Sequence, residues 1–292
     1  MSEAMRCALD CIEVGVMVPR GGNFEDRQDG SEYETKGGQL AWFLTGIVEV
    51  KTARAAVTRL ERIEARRWPL AESLRVELQA DNFKDELSLF RAGPVYAWEK
   101  MTVDSTAEAE PPTGQAEHKS DFRDFWRRAQ AVYYGPQWVA YSCDDCVRRA
   151  QARFDSPWHP DRPDHILETG YSIAGYRNFE MAEYFNRAQC ALLRTSLARY
   201  AYEREYGAPP RSLGKLVSAG YLKAVPVDPF SPVRAPLRYK PDGTLWSVGP
   251  DAKDDGGKTF TPEAKKQPGQ FPSGDLLAGK SLDPRSFYRW WW

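Results

Sequence analysis

The amino-acid sequence predicts an α+β protein that is mostly helical, with a helical N-terminal domain, one long helix and a small antiparallel β hairpin or sheet. Three observations predict this class. Apolar residues recur three and four positions apart over 39–90. The same spacing returns over 178–207, in the clearest helical pattern of the chain. Two short apolar runs, 237–239 and 245–248, then flank a Lys-Pro-Asp-Gly turn at 240–243.

Composition indicates a globular protein and excludes several functions. The chain has 292 residues, of which 42% are hydrophobic, enough to bury a large core in one or two domains. Its 40 lysine and arginine residues balance 41 aspartate and glutamate residues, so we expect no nucleic-acid partner. The best apolar runs, 11–18 and 40–50, are shorter than the roughly 20 residues of a membrane helix, and no secretory signal is visible. We therefore expect no transmembrane segment in this chain.

The cysteines indicate reduced thiols rather than a disulfide framework. Their number is odd and small for a chain of this length. They are Cys7, Cys11, Cys143, Cys146 and Cys190.

The helical N-terminal domain is predicted over 1–101, as two or three packed helices. Its apolar positions are Leu40, Phe43, Leu44 and Ile47, followed by Ala53, Ala56, Val57, Leu60 and Ile63. Pro69 then interrupts the pattern. Six basic residues in 51–67 alternate with Glu61 and Glu64, which indicates a solvated face with ion pairs rather than a phosphate-binding stripe.

A linker or exposed loop is predicted over 102–120. Large apolar residues are almost missing there, and Pro111, Pro112 and Gly114 accumulate. Aromatic helical segments follow within 121–177, and we expect them to continue the helical layer by packing on the first domain.

Region 178–257 is predicted to be an α+β head that begins with the long helix. Asn178 is a suitable N-cap, and Gly207 followed by two prolines ends the helix after about 40 Å. A short helix capped by Ser212 comes next, and the hairpin follows it. The remaining 258–292 is predicted to be an extended tail with an aromatic end.

Residues 274–281 match the phosphate-loop pattern, in which glycine, four residues, glycine, lysine and serine hold a nucleotide phosphate. The surroundings do not fit, because this loop must join a buried strand to a helix, whereas Pro268, Pro272 and Pro284 flank it. We therefore expect a flexible tail here and no bound nucleotide.

Four side chains have the spacing of a two-cysteine, two-histidine zinc finger. They are Cys143, Cys146, His159 and His165. A finger needs both histidines on one helix, which Pro160 and Pro163 would break, and 147–154 is predicted to be helical where a finger has strand and turn. Buried thiols and surface histidines are the favoured interpretation, and zinc bound in another geometry is the alternative.

Catalytic patterns are sparse, so we assign no catalytic residue. The three histidines include no metalloprotease pair, and 170–175 is one residue too long for a nucleophile elbow. An acid and a base cannot be chosen among the many carboxylates without geometry. A hydrolase with a site between the helical domain and the head is an alternative function.

The order of short elements after the long helix carries a resemblance to a known family. The residues concerned are Tyr200, Tyr206, Gly207, Pro210, Leu213, Leu216, Gly220, Tyr221, Leu222, Pro226, Asp228, Pro229, Phe230, Pro236, Leu237, Arg238, Tyr239, Ser247, Val248, Gly249, Pro250, Asp251, Asp254, Asp255, Gly256 and Gly257. Over about 178–257 the chain thereby resembles the globular head of the major pseudopilin of bacterial type II secretion. In that family a long helix ends at a tyrosine, glycine and proline corner, and a proline, aspartate, proline turn precedes the paired strands.

The proline, aspartate, proline turn also has a local reason. Pro226 and Pro229 fix the backbone around Asp228, so its carboxylate is expected to accept neighbouring amides. Phe230 is then expected to cover the long helix.

The resemblance implies a calcium site in the acidic loop. Asp251 is the position that matches the family, and Asp254 and Asp255 add hard oxygen ligands of the kind that calcium prefers. The family's later aspartate is replaced at 258–260 by lysine, threonine and phenylalanine, so a solvated acidic turn is the competing interpretation.

The resemblance does not imply a conventional filament subunit, because about 177 residues precede the long helix where a pseudopilin has a leader and an apolar membrane helix. It implies instead a non-enzymatic structural or interaction protein of the bacterial envelope or secretion, with a protein partner. A metal-dependent binding module using calcium or zinc is a further alternative. The resemblance favours the cell envelope or periplasm, whereas the absence of a visible signal favours the cytoplasm. Trp290, Trp291 and Trp292 are expected to pack on the body, the alternative being an anchor for a partner or membrane interface.

Overall fold

The computed structural model describes residues 1–22, 24–77, 136–160, 176–259 and 273–279. This part of the chain forms seven helices and a three-stranded antiparallel sheet, which confirms the predicted α+β, mostly helical class. The helices are α1 (Glu3–Met17), α2 (Phe24–Leu44), α3 (Val50–Glu64), α4 (Leu70–Glu77), α5 (Pro136–Asp155), α6 (Tyr176–Tyr206) and α7 (Leu213–Ser218). The strands are β1 (Arg238–Tyr239), β2 (Leu245–Ser247) and β3 (Leu276–Leu277). The predicted linker and the aromatic end lie outside the described residues.

α1 and α2 pack against each other through glycines. A Cβ atom added to Gly15 would lie 2.4 Å from the carbonyl oxygen of Gly30, and one added to Gly37 would lie 2.6 Å from that of Ala8. Atoms of a real side chain do not approach so closely. The two helix backbones therefore touch at positions where only glycine fits.

The first predicted apolar set consists of Leu40, Phe43, Leu44 and Ile47. The prediction that it packs in the core is wrong for three of these four residues. Leu40, Phe43 and Ile47 are 40%, 76% and 69% exposed, whereas Leu44 is buried. The reason is that α2 begins at Phe24 and meets α1 along its glycine face, which leaves Leu40 and Phe43 outside the contact.

α3 confirms the second apolar set and the predicted ion pairs, but the predicted solvated face is wrong for Arg67, whose side chain is 3% exposed because it pairs with the buried Glu34. The buried residues of this set are Ala53, Ala56, Val57, Leu60 and Ile63. Arg59 lies 2.6 Å from both Asp10 and Glu13 of α1. Arg54 lies 3.2 Å from Glu205 near the end of α6. These pairs hold the charged face of α3 against its neighbouring helices.

α6 is the central helix of the protein, because α2, α3 and the sheet all pack on it. Its end confirms the predicted stop: Gly207 adopts a φ of 73°, and its amide donates to the carbonyl of Glu203 at 2.8 Å. The short helix α7 then begins after Ser212, as predicted. Neither α6 nor any other described helix combines the length and apolarity needed to cross a bilayer.

The sheet has the strand order β1-β2-β3, with Arg238 opposite Trp246 and Trp246 opposite Leu277. β1 and β2 form the predicted hairpin. The prediction of a flexible tail is wrong for Leu276 and Leu277, which form β3 because Leu276 is buried in the core and β2 supplies backbone partners. The middle of the phosphate-loop pattern at 274–281 is thus a β-strand and not a loop.

One hydrophobic core joins the N-terminal helices to the head. It runs from Met5 of α1 through α3 and α6 to Leu276 of β3. Trp158, which follows α5, is also part of it. Its ring packs against Tyr184 of α6, and its Nε1 donates to the carbonyl of Pro250 at 2.8 Å. The helical layer and the head therefore share one interior.

Charged side chains are buried where α2, α6 and the end of α3 meet. Arg27 and Glu183 lie 2.8 Å apart, and Arg67 and Glu34 lie 2.6 Å apart. Burial disfavours the ionised form of Glu183, but the guanidinium groups of Arg67, Arg187 and Arg27 lower the pKa of Glu183 to about 2. Glu183 is therefore a carboxylate inside the protein at neutral pH.

Candidate functional site

Asp228 lies in the turn that leads into the sheet and is buried. Its carboxylate accepts hydrogen bonds from the Ser247 hydroxyl at 2.6 Å, from the Val248 amide at 2.8 Å and from the Phe230 amide at 3.0 Å. Burial raises the pKa of Asp228, and these three donors offset part of that rise. The side chain thereby ties the turn to the end of β2.

The local predictions for this turn are confirmed. The carboxylate accepts a neighbouring amide, that of Phe230, and the ring of Phe230 is fully buried. The ring centroid lies 5.4 Å from that of Trp158 and 5.9 Å from that of Tyr184 on α6. Asp228 is therefore a structural carboxylate whose oxygen atoms are all engaged.

Asp254 does not fit the calcium site that the sequence predicts. Its Oδ2 accepts from Nε of Arg238 at 2.9 Å, and its Oδ1 accepts from Nε1 of Trp246 at 3.0 Å. Burial raises the pKa of Asp254, but these hydrogen bonds outweigh burial and hold the pKa below its usual range. Both oxygen atoms are already committed, one of them to a guanidinium.

Asp251 and Asp255 fit a cation better. Oδ2 of each is enclosed and has no hydrogen-bond partner within the described part of the chain. Burial raises the pKa of Asp251, and the nearby charge of Asp255 raises it further. Hydrogen bonds from the backbone amide of Lys253 and the side chain of Ser273 lower it. The two carboxylates thus repel each other across the loop. Unpaired, enclosed carboxylate oxygens are groups that a cation stabilises.

Asp275 is a further acidic residue of this loop, which sequence reasoning missed. It precedes β3, is buried, and accepts from the amides of Gly257 at 2.7 Å and Asp255 at 3.3 Å. Burial, with the charges of Asp254 and Asp255, raises the pKa of Asp275 to about 6. Among the residues that the structure describes, no three Asp, Glu, His or Cys side chains are grouped closely enough to hold a metal ion.

The four zinc candidates are only partly described. The side chains of Cys143 and His165 lie outside the described residues. Cys146 is buried in a small cluster with Leu70 of α4, and His159 is exposed. The predicted helix over 147–154 is confirmed by α5. Zinc binding by this set stays a prediction.

A cleft opens between α5, α6 and the head turn 226–234, where the hydrolase alternative places its site. It encloses about 1080 Å³, including its open mouth. Its arginines are Arg187, Arg194 and Arg234, and its carboxylates are Glu64, Asp155 and Asp228. Each of these carboxylates already accepts a hydrogen bond, which does not favour an acid and base pair. We call this feature the arginine cleft.

The α2 patch is an exposed apolar surface formed by Leu40, Phe43 and Ile47. Leu40 and Phe43 are three residues apart on a helix and therefore neighbours on its surface. Ile47 lies in the turn that follows, where its amide donates to the carbonyl of Leu44 at 3.1 Å. Single exposed apolar side chains are ordinary, but several together mark an interaction surface.

Comparison with known proteins adds no family assignment. The chain shows no significant match to a protein-family model, to a characterised protein or to a solved structure. The pseudopilin resemblance therefore stays a prediction from the sequence, and the function is inferred from the sites described above.

Two residues of these sites carried almost no signal in the sequence. Arg194 is one arginine in a helix rich in them, and only its place beside the buried Leu192 and Leu193 hinted at an enclosed position. Asp275 lay inside the phosphate-loop pattern, which directed attention to nucleotides rather than to the acidic loop.

Proposed function

We propose that this protein is a non-enzymatic interaction protein with a pseudopilin-like head, which acts in the bacterial envelope or in secretion by binding a partner protein through the α2 patch. The observation that carries the proposal is the exposure of Phe43 and Ile47, at 76% and 69%, on either side of Leu44, the last residue of α2.

Covering the α2 patch would supply binding energy. Full burial of one large apolar side chain contributes about 1.5–3 kcal/mol, and aromatic residues such as phenylalanine are enriched in interfaces. The chain from 37 to 48 contains no charged residue. The partner surface that fits is therefore uncharged and apolar, such as the apolar face of an amphipathic helix.

The head supports the proposal through the turn on which the resemblance rests. Asp228 of the proline, aspartate, proline turn bonds to Ser247 and Val248, which end β2. Two separate parts of the quoted pattern are thus joined by one buried side chain. This contact fixes the turn and the strand of the head relative to each other.

Photo-crosslinking tests the proposal in the source organism. A photoreactive phenylalanine analogue at Phe43 is expected to crosslink one defined protein, which mass spectrometry identifies. With that protein purified, Phe43→Ser is expected to weaken binding about tenfold or more. The matched control is Val233→Ser, since Val233 is 77% exposed on the head and lies outside the α2 patch.

Two results would contradict the proposal. One is equal binding by wild-type chain and Phe43→Ser. The other is a crosslink confined to 287–292 of the same chain, which would make the α2 patch the docking surface of the chain's own aromatic segment.

Calcium binding in the acidic loop is a second candidate function, favoured by the unpaired oxygen atoms of Asp251 and Asp255. These two carboxylates would hold the ion together with backbone carbonyl and water oxygens, the mixed set that calcium accepts. The ion would offset the repulsion between the two carboxylates and stiffen the loop after β2.

A thermal melt in calcium and in EDTA tests the second candidate. Calcium at about 100 times its dissociation constant is expected to stabilise the protein by about 2.7 kcal/mol, a rise of several degrees in melting temperature. Asp251→Asn should abolish the rise, whereas Asp242→Asn, at an exposed turn, should retain it. If calcium leaves the melting temperature unchanged, calcium is not a ligand of the loop. About one zinc ion per chain by elemental analysis, lost when Cys143 and Cys146 are mutated, would support the zinc alternative instead.

A further inference from the structure

The arginine cleft contains Arg194, whose Nε finds no acceptor within the described part of the chain. Nε of Arg194 is enclosed, and Arg194 makes no hydrogen bond or ion pair with any residue that the structure describes. An enclosed donor without an acceptor costs about 1–3 kcal/mol, and more when it is charged. Its position on α6, beside Ala191, places it on the wall of the cleft.

Two further arginines face the same space. Arg187 holds its guanidinium 4.8 Å from the ring centroid of Phe154 while its Nε donates to Glu183 at 2.9 Å. Arg234, in a turn with a φ of 53°, donates to the backbone carbonyl of Asp155. Both groups retain N–H donors for a ligand, because a guanidinium has five.

None of the described carboxylates of the cleft forms an ion pair with Arg194. Glu64 accepts from Nε of Arg67 at 3.0 Å, and Asp228 is occupied by Ser247, Val248 and Phe230. Asp155 accepts from the side-chain amide of Gln151 at 2.9 Å. The described lining thus has three arginines and three carboxylates, and Arg194 is the arginine without an acceptor among the described residues.

Most of the remaining walls of the cleft are apolar, apart from Ser156 and Ser231. The apolar residues include Phe154, Trp158, Tyr184, Ala191, Pro226 and Pro229. Aromatic rings and prolines beside a guanidinium suit a ligand with an apolar body and an anionic end. The enclosed part of the cleft has a volume of about 430 Å³, which is within the range of small-molecule sites.

We propose that the arginine cleft binds a small organic carboxylate with an aromatic or aliphatic body, whose carboxylate accepts from Arg194 and whose body lies against Trp158 and Tyr184. Arg234 at the rim supplies a second donor. A planar guanidinium matches a carboxylate with two parallel hydrogen bonds, which gives the site its preference for that group. The cleft shares no residue with the α2 patch or with the acidic loop, so this inference is independent of the proposed function.

A probe series on the full chain tests the inference by isothermal titration and by amide chemical shifts. We expect 4-phenylbutyrate to bind with a dissociation constant of about 1 mM or below, as its size permits. The neutral 4-phenylbutyramide and inorganic phosphate should each bind about tenfold more weakly, because one lacks the charge and the other the apolar body. Shifts should centre on 187–194 and 226–234.

Variants separate the arginine from the general charge of the surface. Arg194→Gln and the rim variant Arg234→Gln should weaken 4-phenylbutyrate binding, the former about tenfold or more. Arg204→Gln, an exposed arginine on the same helix, should leave binding unchanged. If Arg194→Gln unfolds, Arg234→Gln decides. Equal binding of the acid and the amide, tighter binding of phosphate, no binding of the acid, or unchanged binding in both cleft variants would each overturn the inference.

Discussion

The guanidinium of Arg27 on α2 and the carboxylate of Glu183 on α6 lie 2.8 Å apart, with their side chains only 7% and 3% exposed. Arg27 also donates to the Ser73 hydroxyl at 3.1 Å and to the carbonyl of Trp68 at 3.0 Å. One arginine thereby connects α2, the start of α4 and α6. Burial of such a pair is costly unless its donors find acceptors. Here the guanidinium donates to Glu183, Ser73 and Trp68.

Glu183→Gln is expected to destabilise the protein by about 3–5 kcal/mol, because it leaves Arg27 and Arg67 buried without their shared carboxylate. Urea unfolding at neutral pH measures this loss. Glu32→Gln is the matched control, since Glu32 is an exposed partner of Lys36 at 3.1 Å and its loss should cost at most about 0.5 kcal/mol. Equal losses in the two variants would show that the buried pair is not structurally important.

Gly37→Ala and Gly38→Ala are expected to change stability in opposite directions. A Cβ at Gly37 would lie 2.6 Å from the backbone carbonyl of Ala8, so the helices must separate at a cost of about 1–3 kcal/mol. A Cβ at Gly38 meets no heavy atom within 4 Å, and alanine there should stabilise α2 by about 0.5–1 kcal/mol. Melting temperatures of the two variants decide the matter. A rise in both would contradict the direct backbone contact.

Asp228→Ala and Ser247→Ala are expected to be coupled. Asp228→Ala leaves the buried amides of Val248 and Phe230 without an acceptor, at about 1–3 kcal/mol for each, whereas Ser247→Ala removes one hydrogen bond. Because both changes delete the 2.6 Å contact, the double variant should lose about 1 kcal/mol less than the sum. Urea unfolding of all four chains completes the cycle. Additive losses would mean that the contact contributes nothing.

Asp275 is expected to titrate near pH 6, above its usual value of 3.8, because burial and the charges of Asp254 and Asp255 favour its neutral form. Between these two values the folded chain binds more protons than the unfolded chain. The stability contributed by the neutral carboxyl is fully present below pH 3.8 and is lost as pH rises through about 6. Carbon-13 NMR of the carboxyl groups, assigned with Asp275→Asn, measures the titration. Asp242, which accepts from the Thr244 amide, should titrate below its usual pKa, and a similar midpoint for both would refute the assignment.

The parts of the fold that the sequence predicts are those with local signals. Gly207 ends α6 because a left-handed residue satisfies the last carbonyls, and the prolines behind it prevent continuation. Ser212 precedes α7, and Asp242 bonds to the Thr244 amide within the hairpin turn. The Asp228 turn belongs to this class as well. Each is decided by residues a few positions apart.

The missed parts depend on contacts between distant residues. α2 has few apolar residues over its first half, so its packing through Gly30 and Gly37 left no periodic trace. β3 has only two residues and is a strand because β2 lies beside it. Arg27 has no local signal of burial, because its partner Glu183 lies 156 positions away and only the fold brings the two together. Contacts between residues so far apart in the sequence leave no local pattern from which they could be predicted.

The central place of α6 affects how the chain is made. α3 ends at Glu64 and α6 begins at Tyr176, so more than a hundred residues are synthesised between them. At roughly 5–20 residues per second, the apolar face of α3 leaves the ribosome roughly 5–20 seconds before the helix that covers it. During that interval Ala56, Leu60 and Ile63 lack the helix α6, whereas α1, which also packs on α3, is already made. A nascent chain in which the helices appear in this order exposes an apolar surface before its cover is made.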